Sequence, residues 1–485
     1  MTASLEWHFS QVFGERTPGE EIQDADIISA VEFDGDGEFL ATGDHGGRVV
    51  LFERCAPSHL ANEPADSRPA SPRIPNAYEY RYLTEFQSHE PEFDYLKSLE
   101  IEEKINSVRW CRRDSPALET PTAHHLLTTN DKTIKLWKVY EKQVLSVSGL
   151  NMDAPGSSGQ RPSLEGGGAP PSLKERELRV PTVEGRETLM TSKCRRTYSN
   201  AHAYHINTVS LSSDKETFLS ADDLRINLWN LDAEPQAYTV VDVKPANMDD
   251  LTEVITRAAF HPTHSHQFAY STSRGSLRLA DLRAAALCDA GAKHFEDAGP
   301  GGPKNFFSEI ISSISDFRFS ADGRHLLARD FMTVKLWDLA MDSGPLEVHR
   351  VHESLRSRLC DLYESDSLFD KFDVGSSGDG RHIATGSYSN FFKVFDRSNE
   401  AGSMFLESSR DPMRRRLQAA AKPASRFGLS RTRTRTVSTA EESVTSDLSS
   451  KVLRLSWHPQ APVIATAAAN SLYLFQGRAQ DGGVG

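Results

Sequence analysis

A short apolar strand that follows a polar turn recurs along the chain and limits the folds that it can adopt. The segment SADDLRINLW places Asp223 six positions before Trp229. The segment NDKTIKLW places Asp131 six positions before Trp137 in the same way. Period-two alternation after a polar turn is typical of a half-buried strand entered from a hairpin. The chain therefore contains a repeated hairpin unit.

Seven strand endings of this kind occur, each after a turn with Gly, Asn, Asp or Ser and a further pair of short strands. The endings are VLFE at Phe52, KLWK at Trp137, NLWN at Trp229, RLAD at Ala280, KLWD at Trp337, KVFD at Phe395 and YLFQ at Phe475. Repeats somewhat longer than 40 residues with four strands each indicate propeller blades of the WD type. We predict an all-β, seven-bladed WD-repeat β-propeller with long inserted loops and a projecting hairpin arm.

Neighbouring endings are 51 to 92 residues apart, and the longer spacings indicate insertions between strands. We expect residues 1–26 to form an N-terminal segment that completes the last blade and closes the ring, which removes an exposed sheet edge. Residues 27–485 then form the propeller. Its insertions are predicted at 55–92, at 139–200 (the arm, partly disordered) and at 400–449 (disordered).

The turn aspartates have a structural interpretation. In a WD-type blade an aspartate in the turn between the second and third strands braces its own hairpin, and the tryptophan packs between blades. We assign this bracing role to Asp131. Asp223 occupies the same position in its repeat and receives the same structural interpretation.

The formal net charge of −13 is distributed unevenly. Residues 410–436 carry nine Lys or Arg and one Asp, so the remainder of the chain carries −21. An acidic body argues against nucleic acid as the main partner and favours basic protein segments. Five cysteines without a CxxC pair favour a reduced intracellular protein. No apolar run approaches membrane-spanning length and no secretory signal is recognisable, so we expect a cytosolic location and leave a nuclear one open.

Catalysis and cofactors find little support in the sequence. No GxxxxGK[ST], HExxH or GxSxG motif occurs. His261, His264 and His266 suggest a metal site. However, the FHP at 260–262 has the same position in its repeat as the WHP at 457–459, which favours a turn. We therefore expect no catalytic residue, no cofactor and no metal.

Longer stretches carry a more specific signal than the blade pattern. They are FDYLKSLEIEEKIN, TTNDKTIKLWKV, NAHAYHIN, LSADDLRINLW, VDVKPANMDDLTEVIT, FFSEIISSISDFRFS and GSYSNFFKVFDR, within residues 93–397. In these stretches the chain resembles the B-type, seven-bladed regulatory subunits of type 2A serine/threonine protein phosphatase. The resemblance implies a non-catalytic subunit. Such proteins bind a helical-repeat scaffold that also holds the catalytic phosphatase, and they recruit substrates through basic residues that flank the phosphosite.

The resemblance also implies twelve substrate-facing positions. They are Phe93, Tyr95, Glu102, Glu103, His205, Asp223, Leu251, Phe306, Phe307, Cys360, Glu364 and Lys371. In a propeller the loops between blades open on the same face as the turns between second and third strands, so our strand assignment places all twelve on one face. An acidic groove with apolar anchors on that face suits a basic peptide.

Other interpretations of these residues stay open. Glu102 and Glu103 alone would suit an ordinary solvated surface, and one of Phe306 and Phe307 would equally suit the core. The fold is also compatible with a WD-repeat scaffold of another complex, such as a ubiquitin ligase or a chromatin assembly. An enzyme built on a propeller is a third and more distant alternative.

Overall fold

Seven antiparallel sheets of four strands and one two-stranded hairpin make up the part of the chain that the computed structural model describes. That part comprises residues 5–14, 21–55, 78–111, 123–148, 182–297, 306–399, 403–413 and 447–479. In each blade the strands follow one another outward from the ring centre as strands a, b, c and d. The predicted all-β, seven-bladed WD-repeat propeller is therefore confirmed.

The strands follow the chain in blade order after an initial strand, β1 (Leu5–Phe13). Blade one contains β2 (Ile28–Phe33), β3 (Phe39–Asp44), β4 (Arg48–Arg54) and β5 (Tyr80–Gln87), and is followed by the hairpin of β6 (Glu92–Asp94) and β7 (Leu99–Ile101). Blade two contains β8 (Ser107–Trp110), β9 (His124–Thr129), β10 (Ile134–Ser148) and β11 (Thr182–Tyr198). Blade three contains β12 (Thr208–Leu211), β13 (Thr217–Ala221), β14 (Arg225–Asn230) and β15 (Tyr238–Asp242).

The second half of the ring repeats this plan and adds two short α-helices between blades. Blade four contains β16 (Ile255–Phe260), β17 (Gln267–Thr272), β18 (Leu277–Asp281) and β19 (Lys293–Phe295), followed by α1 (Phe306–Ser312). Blade five contains β20 (Asp316–Phe319), β21 (His325–Arg329), β22 (Thr333–Asp338) and β23 (Glu347–Arg350), followed by α2 (Leu359–Glu364). Blade six contains β24 (Val374–Ser376), β25 (His382–Gly386), β26 (Phe391–Asp396) and β27 (Met404–Glu407). Blade seven contains β28 (Arg454–Trp457), β29 (Val463–Ala468) and β30 (Ser471–Ala479).

The outer strand of blade seven comes from the other end of the chain. β1 pairs antiparallel with β30. Trp7 is buried and packs edge-on against Trp457, with 5.5 Å between ring centroids. Gln11 exchanges two hydrogen bonds with the backbone of Tyr80 in blade one, at 2.9 and 2.7 Å. The strand β1 thus joins blade seven to blade one.

The predicted bounds of all three insertions are too wide. Tyr80–Gln87 and Met404–Glu407 are the outer strands of blades one and six, because their buried side chains cover the neighbouring strand. β10 and β11 belong to blade two at their base. Beyond Val139 they pair only with each other and form the arm. Residues 56–77, 149–181, 400–402 and 414–446, which include those expected to be disordered, lie outside the described residues.

A buried polar network braces blade three. His202 is hydrogen-bonded through Nδ1 to Asp222 (2.9 Å) and through Nε2 to Ser220 (2.6 Å). Trp229 donates its indole N–H to the same serine hydroxyl at 2.8 Å. Asp222 also accepts the backbone N–H groups of Leu224 and Arg225. Burial acts to raise the pKa of Asp222, but the hydrogen bonds from His202 and the backbone together lower it.

The bracing carboxylate is therefore Asp222, and the prediction that Asp131 and Asp223 brace their own hairpins is wrong. The residue before each of them performs that role, because Asn130, like Asp222, accepts backbone N–H groups two and three residues further on. Asp131 and Asp223 accept side-chain N–H groups instead. Their donors are Asn106 (2.8 Å) and Asn207 (2.9 Å), which lie just before strand a of the same blade.

His261 is a turn residue, as predicted. Its Nδ1 accepts the backbone N–H of His264, and its Nε2 lies 2.8 Å from the carbonyl oxygen of Gly323 in the next blade. A Cβ at Gly323 would lie 2.3 Å from the imidazole, and the φ of +72° also favours glycine there. Within the described ranges no group of three His, Cys, Asp or Glu side chains is arranged to hold a metal. The described helices include none that is long and apolar enough to cross a membrane.

Replacing Asp222 should destabilise the protein far more than replacing its neighbour. We expect Asp222→Ala to lower the free energy of unfolding by about 3–5 kcal/mol, because it leaves His202 and two backbone N–H groups buried without their acceptor. Asp223→Ala removes one partly exposed hydrogen bond and should cost less than about 1.5 kcal/mol. Urea unfolding followed by tryptophan fluorescence measures both values. Equal losses would contradict the assignment of the bracing role to Asp222.

The contribution of Asp222 should depend on pH. Because its folded-state pKa is lowered from 3.8, the stabilisation is complete above that unfolded-state value and is lost as the pH falls through the folded-state pKa. The difference in unfolding free energy between the natural protein and Asp222→Asn should be largest above about pH 5 and should narrow towards about pH 2. Urea titrations across this range test it, and a difference that stays constant would refute the linkage.

Candidate functional site

One face of the ring collects the turns between strands b and c and the loops that lead into the next blade. In an antiparallel a–b–c–d sheet both kinds of connection lie at the same end of the strands. Backbone hydrogen bonds tie each such turn to the entry of the next blade. They join Ile105 N to Asp44 O (3.0 Å), Ile206 N to Asp131 O (2.9 Å) and Ile255 N to Asp223 O (2.7 Å). We call this surface the loop face, and the twelve predicted positions lie in its turns, loops and short helices.

The β6–β7 hairpin presents two aromatic side chains to solvent on the loop face. The rings of Phe93 and Tyr95 meet edge to face, with 5.0 Å between centroids. Asp94 accepts the backbone N–H groups of Leu96 and Lys97, which fixes the turn. Tyr95 is 85 % exposed and Leu96 is 98 % exposed. Exposed apolar groups on a hydrogen-bonded turn are available as anchors for a partner.

Glu102 and Glu103 follow this hairpin on the entry to blade two. Glu102 is exposed and Glu103 is half-buried. Glu102 lines the opening of the central channel together with His205, Asp131 and Lys371. The Nδ1 of His205 lies 3.5 Å from Asp131 Oδ2. Asp131, which the sequence interpretation left out of the site, therefore belongs to it. Its position six residues before Trp137, shared with Asp223, was the signal that could have included it.

Asp223 and Lys371 interact across the opening of the channel. Lys371 is exposed to solvent at the opening of the channel, but the surrounding protein removes part of its hydration and lowers the pKa of its ammonium group. The negative charge of Asp223 acts in the opposite direction, but the pKa of Lys371 is still lowered overall. Glu102, His205, Asp223 and Lys371 belong to three different blades, namely blades two, three and six, and the closed ring brings these blades together.

The two α-helices bring three aromatic rings together on the loop face. Phe306 is 60 % exposed, whereas Phe307 packs against a buried cluster that includes Leu355 and Leu362. Tyr363 of α2 holds the helices together, because its ring lies 5.4 Å from that of Phe306 and 6.2 Å from that of Phe307. Sequence reasoning missed Tyr363, although it lies between the predicted positions Cys360 and Glu364.

Helix α2 also exposes Cys360 and Glu364. Cys360, like the four other cysteines, forms no disulfide. Leu251 follows a 3₁₀ turn (Met248–Asp250), at whose start Asn247 accepts the N–H of Asp249. Leu251 is half-buried. Among the residues described, no hydrogen bond, ion pair or ring contact links Leu251 or the β6–β7 hairpin to the other predicted positions. These two elements therefore lie on the loop face without joining the channel group.

The chemistry of the loop face is that of a binding surface. Its exposed groups include the carboxylates of Glu102 and Glu364 and the aromatic rings of Tyr95 and Phe306. The Ser220–His202–Asp222 arrangement resembles a hydrolytic triad, but it is buried and its hydroxyl is bonded to Trp229, so no substrate can reach it. Fold and surface together define a WD-repeat propeller that acts by binding other molecules.

Comparison with known proteins identifies the family. A model of the WD domain, G-beta repeat, matches residues 192–230. The beta isoform of the 55 kDa regulatory B subunit of serine/threonine protein phosphatase 2A from Arabidopsis thaliana is 52 % identical over 97 % of this chain and 97 % of the relative. The regulatory B subunit of protein phosphatase PP2A from Schizosaccharomyces pombe is 46 % identical, with 97 % of each chain covered. The 55 kDa regulatory subunit of protein phosphatase PP2A from Drosophila melanogaster is 47 % identical over 97 % of this chain and 87 % of the relative.

The chain belongs to the family of 55 kDa regulatory B subunits of serine/threonine protein phosphatase 2A. The resemblance drawn from the sequence motifs is therefore confirmed. The role of this chain in the phosphatase is regulatory and not catalytic.

The two phenylalanines that begin α1 should respond differently to truncation. We expect Phe307→Ala to lower the free energy of unfolding by about 2–3 kcal/mol, because its ring packs on the buried cluster. Phe306→Ala should cost less than about 1 kcal/mol, since most of that ring is in water. Chemical denaturation of the two variants measures both effects. The opposite order would make Phe306 the structural ring and remove it from the candidate site.

Proposed function

We propose that this chain is the substrate-recruiting subunit of a heterotrimeric protein phosphatase 2A. It binds the helical-repeat scaffold subunit, which also holds the catalytic subunit, and it holds basic phosphoprotein substrates on the loop face. The observation that carries this proposal is the convergence of carboxylates and exposed aromatic rings on that face. Glu102, Asp223 and Glu364 provide negative charge from three separate blade entries and turns. Phe93 and Phe306 provide exposed apolar anchors on the same face.

The charge distribution favours basic partners in two ways. Carboxylates at a partly exposed site attract Lys and Arg from a distance and raise the rate of encounter. Once a peptide is bound, the apolar anchors contribute burial, which carries most of the affinity at a typical interface. The selectivity of the phosphatase then follows from which phosphoproteins the face retains near the catalytic subunit, because retention raises their local concentration.

The arm is the part of the chain that we propose for scaffold binding. Beyond blade two, β10 and β11 form a two-stranded ribbon. Its strands carry exposed Val144, Leu145, Val183 and Leu189. Apolar side chains on a ribbon away from any core have no structural role within the blade, and they suit an interface with a helical surface.

The acidic face is tested by reversing its charge. We expect Glu102→Lys with Glu103→Lys to lower kcat/KM for a phosphopeptide with basic flanks by about 10-fold or more, because attraction becomes repulsion. The assembled heterotrimer is used, and its yield on gel filtration should be unchanged. The matched control is Glu216→Lys with Glu234→Lys, which makes the same charge change in blade three at the opposite face. Unchanged dephosphorylation by the heterotrimer with Glu102→Lys and Glu103→Lys would contradict the proposed acidic groove.

The membership of the complex needs its own test. Affinity purification of the intact protein should recover a scaffold subunit and a catalytic phosphatase in near-equal amounts by mass spectrometry, with phosphatase activity in the eluate. A different stable partner without any phosphatase would instead support a WD-repeat scaffold of another complex. Replacing Leu145 and Leu189 with Ser should reduce recovery of both subunits together, because the catalytic subunit is reached through the scaffold.

A further inference from the structure

A cluster of cations lies at the centre of the acidic loop face. A cavity of about 300 Å³ lies at the opening of the central channel. Six basic side chains line it, against four carboxylates, although the chain as a whole carries −13. The six are Lys104, Arg109, Arg257, Arg318, Lys371 and Arg454. The channel opening is thus a local exception to the sign of the surrounding surface.

The arginines that lie deeper in the channel are neutralised by carboxylates. Arg109 forms an ion pair with Glu32, and Arg257 pairs with Asp316 at 2.8 Å. Arg318 lies 3.6 Å from Glu32 and 3.7 Å from Asp316. These arginines join the inner strands of the ring. Each is engaged with Glu32 or Asp316, although three guanidinium groups share these two carboxylates and one net positive charge remains.

Lys104 and Lys371 differ from these arginines because neither is engaged in an ion pair with any residue that the structure describes. In the described part of the chain, neither Lys104 nor Lys371 forms a hydrogen bond through its ammonium group or has a carboxylate within ion-pair distance. Lys104 directly follows Glu103 on the entry to β8, and Lys371 precedes β24. Arg454 of β28 pairs with Asp373 at 3.1 Å, and its guanidinium also donates to the carbonyl oxygen of Lys371 at 3.4 Å. The three cations therefore come from three blades and meet at one opening.

The proximity of these cations affects the pKa of Lys371. Loss of hydration is the main cause that lowers the pKa of Lys371, and repulsion from Arg454 and Lys104 lowers it further. The attraction of Asp223 only partly opposes these effects. Arg454 has a counter-ion in Asp373, but among the described residues neither lysine ammonium group has a carboxylate within ion-pair distance. An anion between the two lysines and Arg454 would therefore reduce their mutual repulsion.

We propose that Lys104, Lys371 and Arg454 form an anion subsite that takes a carboxylate or phosphate oxygen at the channel opening. The inference rests on the proposed function. It adds that the preferred substrates are of mixed charge, with basic residues over the acidic rim and one oxyanion group over the channel. Ammonium and guanidinium groups both bind oxyanions through charge-assisted hydrogen bonds. The rim and the subsite then recognise opposite charges on one peptide.

The test uses matched peptides. One glutamate is moved along a fluorescent basic peptide, and each peptide is paired with one that has glutamine at the same position. Binding to the assembled heterotrimer is measured by fluorescence anisotropy. At one or two positions the glutamate peptide should bind about 3- to 10-fold more tightly, as expected for one charge-assisted contact. Lys104→Gln with Lys371→Gln should remove this preference. Lys215→Gln with Lys244→Gln, two lysines that do not line the channel, should retain it.

A second arm distinguishes a peptide group from a free anion. Inorganic phosphate is titrated into the same proteins while thermal unfolding is followed. If phosphate stabilises the natural protein but not the Lys104→Gln, Lys371→Gln variant, and no glutamate position is preferred, the subsite takes a free oxyanion. Absence of both effects would overturn the anion subsite.

The two proposals can fail separately. If Glu102→Lys with Glu103→Lys weakens all glutamine peptides while glutamate brings no advantage and phosphate has no effect, only the anion subsite is wrong. If that variant leaves the glutamine peptides unaffected, the acidic groove itself is wrong.

Discussion

The pairing of β1 with β30 is the interaction on which the rest of this structure depends. It supplies the fourth strand of blade seven and joins that blade to blade one through Gln11 and Tyr80. Without it, blade seven would end in an open sheet edge, and the ring would lose one of the links between its first and last blades. The loop face takes its groups from several separate blade entries and turns. It therefore exists as one surface only because the ring is closed.

Within that ring, neighbouring residues of like chemistry have separate roles. Asp222 is buried and holds His202 and the turn backbone, whereas the side chain of Asp223 does not share that role and accepts the amide N–H of Asn207. Blade two makes the same division with Asn130 and Asp131. Because the first residue of each pair stabilises the turn, the second can present its carboxylate to the loop face. A surface carboxylate is thereby held in place without being needed for the fold.

The predicted site was partly recoverable from sequence and partly not. The position of a residue in its repeat indicates the face on which it lies, because strand direction alternates in a fixed way within each blade. Packing did not follow from position: Tyr363 joins α1 to α2, and Phe307 but not Phe306 packs on the buried cluster. The bounds of the insertions failed for a similar reason. An outer strand such as Tyr80–Gln87 is fixed by the sheet it covers, since its own alternation is weak.

The sequence by itself determined the number of blades and the family, because strand alternation, turn residues and motif stretches are local properties of the chain. Only the tertiary structure decided which aspartate braces a blade and which charges meet. Lys104, Lys371 and Arg454 are far apart in the sequence, and each lies beside an acidic residue or in an ordinary strand. Their proximity arises from the circular order of the blades, and electrostatic interaction depends on distance in space and not along the chain.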